Sequence, residues 1–427
     1  MLLSSVDRGR QTPCALAVWL VLAGSVAGPA IARAAHWLPG QPVPGVDGAV
    51  YATMGWDPDG AGPSPEVLVV AGAFGAAGNI AVNNIACWDP VAQAWSSLGS
   101  GLGDGNYFTV VRALAALNGE LYASGSFRTA GGVTAEGIAC WDPVTSTWSA
   151  LGTGQSTVNI YALAVLDGKL CVGGYFHTIF DVNACAIACW DPTTSTWSAM
   201  GSGLCDGFPA PCALATLNGK LYAGGEWTTT SQEHRNQLAC WDPATSTWSA
   251  VGPARHSRQS VKALTVLDGK LYAGGNSATE AGAKMVDVAC WDPATSTWSP
   301  LVADIYAGTV ETLTVVSGKL YAGGCFTGIG GLSASNVICW DPETSTWSAL
   351  GSGTNESGTV RTLTAFNGGL YVGGSFVTAG GEDASRIACW DPAVHSWSAF
   401  GPGLGHQMGT MAVLNSRLYA AINKHRD

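Results

Sequence analysis

Cys-Trp-Asp-Pro recurs seven times in this chain, about every 50 residues, and each time a second Trp stands seven positions after the first. The pairs are Trp88/Trp95, Trp141/Trp148, Trp190/Trp197, Trp241/Trp248, Trp291/Trp298, Trp340/Trp347 and Trp390/Trp397. They use fourteen of the 18 tryptophans. A device repeated so faithfully is scaffold. Function has to be sought where the copies differ.

Each copy runs close to V-x-A-L-T-V-L-(N/D)-G-K-L-Y-A-G-G, a variable loop, I-A-C-W-D-P-x-T-S-T-W-S-A-L-G, and a second variable loop. Four short β-favouring runs separated by turn residues predict a four-stranded meander. Asn118-Gly119, Asp167-Gly168, Asn218-Gly219, Asp268-Gly269 and Asn367-Gly368 supply the positive φ angles of a two-residue hairpin between strands one and two. Asp-Pro then turns strand three into strand four, Asp accepting turn hydrogen bonds and Pro presetting φ. Neighbouring residues such as Leu121 and Tyr122 make both faces of the sheet apolar. Stacking such sheets around an axis covers both faces, so the chain is expected to be an all-β propeller.

Strand-one and strand-two segments can be counted eight times, the last being 410–414 and 417–422. Strand three occurs seven times, and strand four eight times if Ala35–Gly40 (AHWLPG) is included. The count favours eight blades, the last closing the ring with an N-terminal strand against the C-terminal hairpin. Seven blades with an extra hairpin is the alternative.

The paired glycines after an apolar strand, then Trp-Asp-Pro and a Trp after six intervening residues, resemble the kelch repeat. Similar Gly-Gly…Trp-Asp…Trp-Ser repeats occur in exported bacterial and fungal surface proteins. The resemblance covers nearly all of residues 35–422 and implies a propeller fold. Kelch propellers include cytoskeletal binders, ubiquitin-ligase adaptors and copper oxidases, so it implies no single activity. Trp stands where Tyr is usual, and Cys precedes it.

Arg8 and Arg10 precede an apolar run from Ala15 through Gly28, followed by small residues at Ala30, Ala32, Ala34 and Ala35. That order predicts a secretory signal peptide over residues 1–34, leaving the propeller at 35–427 in a secreted or cell-surface protein. No later run is long and apolar enough to span a membrane. The formal net charge of -11 opposes phosphate-backbone binding, so nucleic acid is not an expected partner. A protein or glycan ligand is expected, an anionic one included, with the chain a monomer.

Seven of the 13 cysteines (Cys87, Cys140, Cys189, Cys240, Cys290, Cys339, Cys389) occupy equivalent positions in successive sheets. Packed sheets lie roughly 10 Å apart, too far for equivalent cysteines to join, so these are expected to be small buried apolar side chains. Cys185 and Cys189 are expected to lie too far apart along one strand to bond. Cys205 and Cys212 flank a Gly-Pro loop (CDGFPAPC) and form a candidate disulfide. No paired Cys-x-x-Cys or His-x-x-x-His spacing predicts a metal, and no cofactor motif is present.

In a meander, the two-to-three and four-to-one loops share one face of the ring. Here those loops vary in length and chemistry, which marks the working face. His234 and Arg235 in one such loop, and Arg255, His256 and Arg258 in the next, would converge near Trp227. The sharp interpretation is a pocket for an acidic sugar or carboxylate; the plain one is a solvated loop. No Gly-x-Ser-x-Gly, Gly-x-x-x-x-Gly-Lys or His-Glu-x-x-His occurs, so binding is favoured over catalysis. The enzymatic alternative is an extracellular polysaccharide hydrolase or lyase, which requires a pair of carboxylates at the channel mouth. A structural surface protein is a third possibility.

Overall fold

The computed structural model describes residues 45–422 except 61, 104–108, 153–157, 205–208, 228–237, 252–259, 277–287, 302–304, 307, 330, 356, 385, 400–407 and 415–416. Within them the repeat forms seven four-stranded antiparallel meanders, each drawn from one stretch of sequence. Blade one is Ala49–Trp56, Val67–Ala73, Ile85–Asp89 and Ala94–Ser97, and blade seven is Val360–Phe366, Gly369–Gly374, Ile387–Asp391 and Ser396–Ala399. The innermost strands of blades two to six are Val110–Leu117, Asn159–Leu166, Pro209–Leu217, Ser260–Leu267 and Thr309–Val316. Single pairings, Glu226 with Ser260 and Asn276 with Thr309, link the sheets of blades four to six.

Each innermost strand packs on the next, and that of blade one packs on that of blade seven. The ring therefore closes at seven blades. The core is divided in the same way into seven apolar clusters, each shared by two adjacent blades. The closing cluster joins Val50, Leu68 and Val70 of blade one to Phe366, Tyr371 and Ile387 of blade seven. Thr53 adds a polar seam there, its hydroxyl 2.9 Å from that of Thr362 and 2.7 Å from that of Thr364.

The eight-blade count is thereby corrected. The C-terminal hairpin, Met408–Leu414 with Arg417–Ile422, repeats the pattern of strands one and two but, among the described residues, pairs only with itself. Blade one already supplies four strands and covers blade seven, so nothing is left for an eighth sheet to bury. Ala35–Gly40, the expected closing strand, lies outside the described residues.

The turn chemistry follows the sequence. Asn118 and Gly119 take φ of 55° and 82°, as a two-residue hairpin turn requires. In the Asp-Pro turn, Asp142 accepts from the Val144 amide at 2.8 Å, and the equivalent Asp191, Asp242, Asp292 and Asp341 do the same at 2.9 Å. Those four also receive Lys169, Lys220, Lys270 and Lys319 from strand two, at 2.8 to 3.2 Å. The bonds hold these aspartates below the ordinary carboxylate range.

The Trp pairs face one another across strands three and four with ring centroids 5.3 to 5.5 Å apart. Their second member also ties blades together. Trp148 Nε1 donates to the Leu98 carbonyl at 2.9 Å, Trp197 to Leu151 at 2.6 Å, Trp248 to Met200 at 2.9 Å, Trp347 to Leu301 at 3.4 Å and Trp397 to Leu350 at 2.7 Å. Each acceptor belongs to the Trp-Ser-x-x run of the blade before it. One repeated residue thus supplies ring packing and a hydrogen bond across a seam.

Most repeat cysteines are buried as expected, and burial pushes the Cys87 and Cys140 thiols up to about 12. Cys189 departs from that expectation. Five blades set Tyr opposite this Cys, as in Tyr122 with Cys140 and Tyr321 with Cys339. Blade three places Cys171 there instead, directly opposite Cys189 at a Cα separation of 4.1 Å, and the two are disulfide-bonded. The separation argument applies between sheets, whereas this bond lies between two strands of one sheet. Cys185, in the loop just before this strand, is disulfide-bonded as well.

Candidate functional site

The glycine pair that ends strand two controls what strand one presents to the channel. Its second member lies where a Cβ would meet the neighbouring strand: on Gly225 it would be 2.6 Å from the Ala210 carbonyl oxygen. Its first member receives the next blade, and a Cβ on Gly373 would be 2.6 Å from Val50 Cγ1. Opposite this pair, every innermost strand carries a β-bulge that skips one residue. A bulge interrupts the alternation of side chains and re-aims the residue it contains.

The bulged residues in blades one to seven are Tyr51, Arg112, Tyr161, Cys212, Lys262, Glu311 and Arg361. All seven are half-buried, and two groups of them are joined from blade to blade. The Arg112 guanidinium stands 5.6 Å from the ring centroids of both Tyr51 and Tyr161, and that of Arg361 stands 4.7 Å from Tyr51. Lys262 Nζ is 2.7 Å from Glu311 Oε1. Cys212 Sγ donates to the Ala210 carbonyl at 3.2 Å. Burial raises the Tyr161 hydroxyl despite the opposing charge of Arg112, which keeps that hydroxyl neutral.

The ring holds three cations and one carboxylate, in a chain of net charge -11. Its charge is uneven. Glu311 neutralises Lys262 in blades five and six, whereas Arg361 and Arg112 flank Tyr51 with no hydrogen-bond or ion-pair partner for either guanidinium among the described residues. The Nε atoms of both arginines are buried and unpartnered. Two like charges beside one tyrosine repel. Cation–π attraction to Tyr51 offsets part of this.

The ring lies near the start of strand one, within about 10 Å of its first residue at roughly 3.3 Å per residue. That places it at the end of the channel nearest the variable loops. Five of the two-to-three loops contain a two-residue-stranded hairpin, for example Thr129–Ala130 with Val133–Thr134. Bridges from Leu102 to Ala130 and from Thr354 to Ala379 join four-to-one segments to these hairpins. Buried Asn336 pins one such corner, accepting from the Phe326 amide at 3.0 Å and donating to Asn355 O at 2.9 Å.

The sequence-derived patch is not assembled by these observations. His234, Arg235, Arg255, His256 and Arg258 lie outside the described residues, and Trp227 is placed by its backbone alone, at the end of Lys220–Trp227 opposite Pro209. Cys205, and with it the candidate Cys205–Cys212 pairing, also lies outside them. The channel ring was missed although its signal is in the repeat. It is the unspecified residue of V-x-A-L, which reads Tyr, Arg, Tyr, Cys, Lys, Glu and Arg across the blades.

No family model and no curated protein matches this chain. The functional argument therefore rests on the fold and on the ring.

Proposed function

We propose that this chain is an exported, non-catalytic propeller that binds a protein or glycan ligand on its variable-loop face, over the mouth of the channel. One observation carries the proposal: the positions that differ between blades gather on that face and in the bulge ring, while the opposite turns and the Trp pairs are nearly constant. Export is supported by the charged, apolar and small-residue order of residues 1–34 and by the Cys171–Cys189 disulfide, since such bonds persist in oxidising compartments. The kelch resemblance of the Gly-Gly and Trp-Asp-Pro elements is in keeping with a binding module. At the ring itself Glu311 is the one carboxylate of the seven and is engaged by Lys262, so these seven residues offer no carboxylate pair for the hydrolase alternative.

The purified full chain, screened on a glycan array and by pull-down from culture surface extracts, is expected to retain a ligand without converting it. Turnover of a polysaccharide with no retained ligand would refute the proposal.

A further inference from the structure

We infer that Arg112 and Arg361, on either side of Tyr51, form a carboxylate-binding site at the channel mouth. The inference deepens the proposed function by naming the chemistry of the group that enters the ring. Four observations converge on it. The two arginines come from blades two and seven, and the bulges of their strands turn both toward the same tyrosine of blade one. Neither guanidinium has an acceptor among the described residues, and the Nε of each is buried. The ring's carboxylate, Glu311, is committed to Lys262 at 2.7 Å. All seven ring residues remain partly open to solvent, so a small group can approach along the axis.

Guanidinium presents its N–H groups as a planar fork, and a carboxylate accepts from such a fork through both oxygens. A carboxylate beside Tyr51 would offset the like charges of the two arginines and accept from guanidinium N–H groups that the described residues leave without acceptors. The neutral Tyr161 hydroxyl adds a polar group beside Arg112 without a competing negative charge. The carboxylate is that of a sugar acid or of an acidic side chain.

Titration calorimetry on the full chain tests this with glucuronate and with the α-amide of N-acetylglutamate, each carrying one carboxylate, and with glucose as the neutral control. At least one carboxylate is expected to bind saturably and glucose is not; which one binds distinguishes a sugar-acid source from a side-chain source. Arg112→Gln/Arg361→Gln is expected to weaken binding at least about tenfold, roughly the value of one charge-assisted hydrogen bond. Arg361→Lys, which keeps the charge but not the fork, should weaken it less and guards against loss of fold in the double variant. Arg235→Gln/Arg255→Gln/Arg258→Gln is the comparison that tests whether the loops hold the carboxylate instead. The inference is overturned if neither carboxylate binds, if glucose binds equally, or if the double variant binds as the parent does. Loss of binding in the loop variant alone would move the site to the loops, sparing the proposed function while rejecting the channel site.

Discussion

Trp148→Ala is expected to destabilise the protein by about 3–5 kcal/mol, the range for removing a large buried aromatic side chain. Trp148 is 6% exposed, pairs with Trp141 at 5.4 Å, and donates across a blade boundary to the Leu98 carbonyl at 2.9 Å. Three losses therefore coincide: buried area, an aromatic pair, and the partner of a buried carbonyl. Trp148→Phe separates them. It keeps a ring against Trp141 and leaves the Leu98 carbonyl without its donor, so a smaller loss of about 1–3 kcal/mol is expected. Denaturant midpoints of the two variants check this, and equal losses would show that the ring packing contributes little beyond the hydrogen bond.

Replacing both Cys171 and Cys189 by Ser is expected to cost about 3 kcal/mol. The bond closes a loop across a sequence separation of 18, and chain-entropy estimates for a loop of that size are near 3 kcal/mol. Cys171→Tyr offers a more discriminating comparison, because it restores the Tyr opposite Cys that five other blades use. It should destabilise less than the double Ser variant. Reductant should lower the midpoint of the parent more than that of Cys171→Tyr, which keeps only the Cys185 disulfide.

The repeat made much of the fold legible. Asn-Gly turns, Asp-Pro turns and Trp pairs act within one blade or between neighbours, so each can be recognised in a 50-residue window. Blade number is a property of closure. The extra hairpin at Met408–Leu414 and Arg417–Ile422 looks like the start of another blade, and local pattern cannot show that blade one already covers blade seven. Cys171 was overlooked for a related reason: its significance comes from register, which sets it opposite Cys189. The candidate site was hidden by the bulge. Arg112 and Tyr161 follow apolar residues in apparently regular strands, and only the skipped pairing opposite Gly-Gly brings them into contact around the axis.

Ring closure at seven blades underlies both the seam and the convergence of Tyr51, Arg112 and Arg361. Thr53→Cys/Thr362→Cys places two thiols where the hydroxyls stand 2.9 Å apart across the blade-one to blade-seven boundary. After mild oxidation of the folded full chain, mass spectrometry of its peptides should find these two cysteines joined. A folded double variant that yields no such cross-link would mean that another sheet stands between blades one and seven, and would contradict the seven-bladed ring.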